Sequence, residues 1–500
     1  MPTSPIKVRR EDATRYIAAY FLKVHPLSPF LDRVSFERKA LWSDTSELLV
    51  KSAPFNALYH VVLALGCQFV DGSSFDQGQG KAWKYFEIAL GILPQILVPV
   101  EGLVHAQAIF ATNFSCIQTG NTLISEAARI VQVLGYNAAR VPGNDEKACH
   151  RVFWVIHWQE RVFCFFRGRT SMIPEYDIGC PVPDIAGTSN DHQNWLLITA
   201  CLGRLMSRMY ESLFSVSAAR MSKKARLAAI ESMFDELEAW RCSLPENFRP
   251  HTSRFSSKDD IAYASAHKMR AQLQFLYCAL IMSLCRLRCH VFSDQQSQSD
   301  QQIKLQLMEE ARSIIFLSRH IEHEPHVPIW YRTQISLYLQ IFMSANLNRE
   351  LGIVPISALF VIFDFVTNVN LAFLDIAAGY FSRWEVSHNG SLPGFSVSEF
   401  SHIARQFVRD SHNKSQHAGQ PSGVSSRVNP AQVLTEDSAH QEDGEPLDTS
   451  ASISPLDALS EYLFYPEDPL QPVLGNSMSM ATDLSSIFNA AYWCSSTPGF

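Results

Sequence analysis

The sequence predicts an all-α protein, a large single helical domain followed by a disordered acidic tail. Apolar residues recur at helical spacing in one segment after another, strand-like alternation is scarce, and no unit repeats along the chain. The tail is set apart by charge. Residues 428–500 contain no Lys or Arg and eleven Asp or Glu, so they hold −11 against −7 for the whole chain. The remaining residues are therefore close to +4. That mild, dispersed excess is no electrostatic footprint for DNA, because phosphate affinity needs clustered cations.

Taken in order, Ile17, Tyr20, Phe21 and Val24 form one face of a first helix, with Asp12 near its start and Pro26 at its end. Ile124, Ala127, Ala128, Val131 and Leu134 repeat the pattern, and Gly135 stands where a helix end favours a left-handed residue. An aromatic helix follows from Arg151 and ends at Gly168, which is flanked by Arg167 and Arg169. Phe234, Leu237 and Trp240 mark another, closed by Leu244-Pro245. Met269 to Leu287 reads as a long helix, and Ile314 to Leu317, Ile335 to Leu347 and Ile356 to Phe381 continue the series. Asp294 to Gln302, rich in Gln, Ser and Asp, reads as a loop. Gly78 to Lys81 reads as a turn before a helix starting near Ala82.

After Phe407 no aromatic residue appears until Tyr462, and that span cannot bury enough apolar surface to offset its ordering entropy. Beyond it, Leu456, Leu459, Tyr462, Leu463, Phe464, Tyr465 and Leu470 interleave with Asp457, Glu461, Glu467 and Asp468. Two readings stay open for this tail: an amphipathic activation segment, or a short helix docking on the body. The expected organisation is a short polar N-terminal segment 1–13, a helical domain 14–409, a disordered linker 410–455 and an acidic-hydrophobic tail 456–500.

Composition narrows the function classes. With 47% hydrophobic and 18% charged residues, the chain can bury a large core. Its eleven Cys include no C-x-x-C pair, and Met1 to Arg10 lacks an apolar signal-peptide run, so a reducing interior is expected. The most apolar long segment, Ile356 to Phe381, contains Asp364, Asn368, Asn370 and Asp375, which argues for a buried helix and against a membrane span. Catalytic chemistry finds no support: G-x-S-x-G and H-E-x-x-H are absent, and Gly78-Gln79-Gly80-Lys81 lacks the hydroxyl residue of a phosphate loop. His320, His323 and His326 are interrupted by Pro325, and Cys285, Cys289 and His290 read as part of a packed helix. No metal set is assigned.

The most informative stretch is Arg151 to Pro183. Phe153-Trp154, Glu160-Arg161, Gly168-Arg169, Asp177-Ile178 and Pro181-Val182-Pro183 follow one another there. This order resembles the signature of the fungal-specific transcription factor domain, the middle homology region of zinc-cluster regulators, with Thr170 in place of the usual Pro. Tyr20-Phe21 with Val24-His25-Pro26, Ala127-Ala128-Arg129, Leu134-Gly135, and Trp240 with Leu244-Pro245 extend the likeness. The resemblance implies a nuclear transcription regulator, not an enzyme, whose helical domain controls a biosynthetic or metabolic gene set. It marks Trp154, Glu160, Arg161, Gly168, Arg169, Asp177, Pro181 and Pro183 as structural residues. Buried charges at Glu160 and Arg161 should find ion pairs or backbone carbonyls. Arg169 should satisfy carbonyls at the helix end or meet Asp177, and an anion or effector site at Arg167 and Arg169 is the alternative.

The family's zinc cluster is not found, since the first Cys is Cys67, so no cofactor is expected in this chain. DNA contact is then expected only indirectly, through a missing N-terminal module lost from the gene model or through a partner. The expected partners are the transcription machinery, met by the acidic tail, and a zinc-cluster protein or second copy; no membrane is expected. The alternative function is a scaffold or inhibitory partner that pairs with a zinc-cluster regulator.

Overall fold

A computed structural model describes residues 8–42, 44–71, 80–97, 102–113, 117–141, 143, 145–183, 190–251, 261–291 and 298–317, with residues 372, 375, 376 and 379. Among them every regular element is helical: α1 (Arg10–Lys23), α2 (Arg33–Leu41), α3 (Thr45–Lys51), α4 (Ala53–Asp71), α5 (Gly80–Ile96), α6 (Leu103–Asn113), α7 (Ile117–Val133), α8 (Glu146–Phe166), α9 (Asn190–Met209), α10 (Lys223–Ser243), α11 (Ile261–Val291) and α12 (Gln298–Leu317). These belong to one compact unit, while the unit formed by Asn413–Phe500 and Met1 lies outside the described residues. The expected tail, the helices at 335–347 and 356–381 and the His320, His323 and His326 run also lie outside them or are touched only at isolated positions.

Helix starts follow from polar caps. Asp32, Asp145 and Ser222 each accept, through a side-chain oxygen, the backbone N–H three residues on, which satisfies one of the orphan donors of α2, α8 and α10. Two ends share another device. At the close of α7, Gly135 has φ +69°, the Tyr136 N–H donates to the Val131 carbonyl and the Gly135 N–H to that of Gln132. This is a Schellman motif, placed where the Leu134-Gly135 step predicts a helix end. α12 begins at Gln298, so the expected loop at 294–302 is shorter than its composition suggests. Gln is a good helix former, and an apolar stripe on the following turns recruits these polar residues into the helix.

The apolar α4 sits among α1, α5 and α6. It is long and apolar enough to cross a membrane by length and composition, yet it is mostly buried inside the protein. Its approach to α1 is extreme: a Cβ on Gly66 would lie 1.9 Å from the Tyr16 carbonyl oxygen. Beside this contact, the Tyr16 hydroxyl donates to Asp71 at 2.5 Å and Lys81 donates to the Tyr16 oxygen at 2.5 Å, joining α1, α4 and α5. Lys81, with its phosphate-loop flavour in sequence, thus serves as a cation between helices. α8 packs on α6, α7 and α9, and α11 packs on α10 and α12.

The proline-bounded segment after α1 joins these groups. A single 3-10 turn, His25–Leu27, follows α1, and His25 Nε2 lies 2.8 Å from the Leu31 carbonyl. Trp195 of α9 donates to the Leu27 carbonyl at 3.1 Å, and Gln107 of α6 to that of Phe30 at 3.2 Å. Pro26, near the start of this turn, lacks an N–H to continue α1, and the carbonyls of Leu27 and Phe30 remain for the distant donors.

Gly66→Ala is expected to destabilise the protein by about 3 kcal/mol, because the added methyl meets backbone that cannot rotate away. Gly91→Ala, in α5 with nothing within 4 Å of the new Cβ, is expected to stabilise it by about 0.5–1 kcal/mol. Urea denaturation of the two variants checks both signs.

Candidate functional site

α8 is apolar on nearly every face and also carries the most buried charges in the described chain. Glu160 is 0% exposed and Arg161 5%. An ionised group at such depth is tolerated only when its lone pairs or protons are met by partners. Glu160 and Arg161 find theirs in the loop that follows the helix. The Glu160 carboxylate accepts from the Ser171 hydroxyl at 2.6 Å, the Met172 backbone N–H at 2.7 Å and the Cys164 thiol at 3.3 Å. Arg161 donates to the Ile173 carbonyl and lies 3.3 Å from Glu175. The two charges therefore clamp successive residues of one loop, with backbone groups and a second carboxylate as partners.

Glu175 gathers three cationic or basic groups. His157 Nε2 is 3.1 Å from one carboxylate oxygen, and Arg204 of α9 is 3.1 Å from the other. Burial alone would push the Glu175 carboxyl up, but the His157 hydrogen bond and the charges of His157, Arg161 and Arg204 together hold it below the ordinary carboxylate value. His157, fully enclosed, is driven the other way. Burial lowers its pKa below the usual imidazole value, with Arg161 adding to the effect, and the hydrogen bond to Glu175 only partly opposes this. Its ring fits because α9 presents Gly203 there, where a Cβ would stand 3.1 Å from the imidazole.

The helix end itself is a second Schellman motif. Gly168 has φ +59°, the Arg169 N–H donates to the Cys164 carbonyl at 2.9 Å and the Gly168 N–H to that of Phe165 at 3.1 Å. The Tyr210 hydroxyl, in a single π turn (Tyr210–Phe214) that extends α9, reaches the Gly168 carbonyl at 3.4 Å. Arg169 thus serves the helix terminus through its backbone, while its side chain is exposed. Asp177 is met by Asn137 instead, whose side-chain amide donates to its carbonyl at 2.8 Å and its carboxylate at 3.1 Å. Of the two roles expected of Arg169, satisfying carbonyls at the helix end or meeting Asp177, the first is taken by its backbone N–H and the second by Asn137. Arg167 lies over the Phe163 ring at 4.5 Å, an apolar seat for a cation.

Farther along, the Gly179 and Cys180 N–H groups donate to the Asn137 carbonyl at 2.8 and 2.9 Å, and Trp154 donates through its indole to the Pro181 carbonyl at 2.9 Å. The structure so brings Trp154 together with Pro181, Glu160 and Arg161 with the loop at 171–175, and Asp177 with Asn137. Pro183 closes the described part of the loop. Sequence reasoning did not pick out His157, Asn137, Glu175 or Arg204. The run His157, Glu160, Arg161 on an aromatic helix was the available signal, since three polar residues on one apolar face require a polar counterpart nearby. Burial, with the nearby Glu160 carboxylate, raises the pKa of the Cys164 thiol, which donates to that carboxylate as the Ser171 hydroxyl does. The chemistry of the arrangement is that of a clasp, tying α8 to α7, α9 and the intervening loop.

Glu160→Leu is expected to cost about 3–5 kcal/mol, because the loop donors lose a buried acceptor. Arg169→Leu should stay within about 0.5 kcal/mol of the parent. Thermal melting of the two variants distinguishes side-chain from backbone roles at the helix end. Acid gives a second expectation. His157 titrates lower in the folded chain than in the unfolded one, so only the unfolded chain takes up a proton as pH falls through the usual imidazole range. Stability is then full above about pH 7 and is lost below it, whereas the contribution of Glu175 persists until the carboxylate range. His157→Gln should flatten the loss between pH 7 and 5.5, measured as the shift of the urea midpoint, leaving the part due to buried His60.

Comparison with known proteins agrees with this architecture. The fungal specific transcription factor domain matches residues 17–242, from α1 to the end of α10. An ABC-transporter-regulating transcription factor of Aspergillus oryzae is 24% identical over 192 residues, 34% of this chain and 21% of its own length. A transcriptional regulatory protein of Schizosaccharomyces pombe is 26% identical over 269 residues, 48% of this chain and 34% of its own. Protein STB5 of Saccharomyces cerevisiae is 24% identical over 249 residues, 45% and 33% respectively. The chain thus spans between a fifth and about a third of the curated relatives it matches. No solved structure matches it. The helices from α2 to α9 and the clasped loop thus fall within the stretch, residues 17–242, that is similar to the fungal specific transcription factor domain.

Proposed function

We propose that this chain is a nuclear transcription regulator, that it catalyses no reaction, and that its helical domain controls the activity of an acidic C-terminal segment. The match of residues 17–242 to a regulatory-domain family carries the reading. The clasp at α8 supports it, since its ionisable groups are consumed in holding helices and a loop together. Among the described residues around it, no thiol or imidazole is poised for catalysis. Residues 456–500, acidic and bulky-apolar by turns, have the composition of a segment that meets the transcription machinery. The mild charge of the remainder assigns DNA contact to a zinc-cluster module carried by a longer form of the chain or by a partner. A biosynthetic or metabolic gene set is the proposed target. The name of the Aspergillus oryzae relative makes transporter genes the first to examine.

Chromatin profiling and transcript measurement in a fungal cell expressing the tagged full chain test the reading. Nuclear accumulation and altered transcripts are expected, and fusion of residues 446–500 to a DNA-binding module should activate a reporter. A uniform cytoplasmic distribution with unchanged transcripts overturns it. Retrieval of a zinc-cluster protein, with an inert tail fusion, would assign the chain the role of inhibitory partner.

A further inference from the structure

Beyond residues 17–242, a His, a Cys and a Glu far apart in sequence meet in space. His251 lies in the turn after α10, Cys278 in the middle of α11 and Glu310 in α12. Their ligand atoms all lie within 4.8 Å of one another. His251 Nε2 is 3.1 Å from a Glu310 carboxylate oxygen and 4.0 Å from the Cys278 sulfur. Around a tetrahedral zinc ion, nitrogen and oxygen donors stand roughly 3.3 Å apart and sulfur and nitrogen roughly 3.6 Å, as follows from bond lengths of about 2.0–2.3 Å. The two spacings from His251 are thus within a few tenths of an ångström of those required, and the third pair, Cys278 and Glu310, lies within 4.8 Å.

We infer that His251, Cys278 and Glu310 form a binding site for a single thiophilic divalent cation of the zinc class. Convergence on one atom is the first argument. Carboxylate, thiol and the Gln274 side-chain nitrogen, at 3.4 Å, all crowd His251 Nε2, which offers either one N–H or one lone pair and so can serve only one of them well. A cation at their centre satisfies the lone pairs of all three ligands together.

Positioning is the second argument. His251 is the one non-glycine among the described residues with positive φ, at +64°. This left-handed backbone is held by its own N–H donating to Gln274 Oε1 at 2.7 Å. The Gln274 nitrogen lies 3.1 Å from His251 Nδ1 and 3.2 Å from the Cys278 sulfur. Gln274 therefore orients two of the three donors from behind, as the outer partners of metal ligands do. The Tyr277 ring meets the imidazole edge-on, 5.5 Å between centroids.

Burial is the third. Cys278 and Glu310 are buried while His251 is exposed, so an ion can enter from the side of the imidazole. One thiolate, one imidazole and one carboxylate select zinc-like ions over magnesium or calcium. Three protein ligands leave the fourth position to water or to an incoming ligand, so the ion would join the 251 turn, α11 and α12 and remain open to chemistry from outside. The site stands apart from the proposed transcriptional role and is tested without it.

The test is cobalt(II) titration of the full chain after chelation, followed by competition with zinc. Tight binding of one ion per chain is expected, with a thiolate-to-cobalt charge-transfer band in the near ultraviolet, tetrahedral visible bands, and displacement of both by zinc. Cys278→Ser should abolish the charge-transfer band, while Cys285→Ser keeps it. Gln274→Leu should weaken affinity about 10–100-fold, as loss of an outer partner does. If circular dichroism shows that Cys278→Ser fails to fold, His251→Gln and Glu310→Gln decide, each expected to weaken binding at least tenfold. Absence of the band in the parent chain, its persistence in folded Cys278→Ser, or parental affinity in both substitute variants overturns the site.

Discussion

A carboxylate and a guanidinium side by side within an apolar helix impose the constraint on which the α8 region depends. Glu160 and Arg161 cannot be solvated where they lie, and they cannot serve as each other's sole partners without leaving most of their hydrogen-bonding capacity unmet. The loop at 171–175 supplies what is lacking, and its path is dictated by that need. Glu175 then needs compensation of its own, from His157 and Arg204, and α9 is drawn in. A polar requirement inside one helix thereby sets the course of the chain over the next forty residues.

The loop is held at several points by different chemistry, and this explains why its irregular backbone needs no regular structure. Trp154 and Asn137 anchor its far part mainly through backbone carbonyls, whereas the near part is held by the buried charges of α8. Low dielectric strengthens such bonds as long as the group is complete, and makes the loss of one member costly. The small residues matter equally. Gly203 admits the His157 ring, Gly168 turns the chain, and Gly66 lets α1 and α4 touch backbone to side of backbone.

Much of this was legible in the sequence, and the rest was not for identifiable reasons. The period of Ile17, Tyr20 and Phe21 and the Leu134-Gly135 step predicted α1 and the end of α7, because both depend on neighbours within a few residues. The burial of Glu160 and Arg161 was legible as a demand for partners. Which partners answered it was not, since Met172, Ile173 and Arg204 are fixed by the path of a loop and by a helix that begins later. Arg169 misled for a similar reason: a basic residue past a helix end suggests side-chain capping, yet the left-handed Gly168 assigns the task to its amide. α4 and α6 offer little polar contrast to betray a face, and α12 begins inside a polar run. The convergence of His251, Cys278 and Glu310 has no spacing signal, because three elements bring it about.

The carbonyls of Leu27 and Phe30, met by Trp195 and Gln107, carry a consequence for the order in which the protein is made. A ribosome adding about 5–20 residues per second reaches Trp195 roughly 8–34 s after Leu27. Throughout that interval the turn after α1 lacks one of its seals. The turn after α1, though synthesised early, therefore completes its hydrogen bonding only once α9 has emerged.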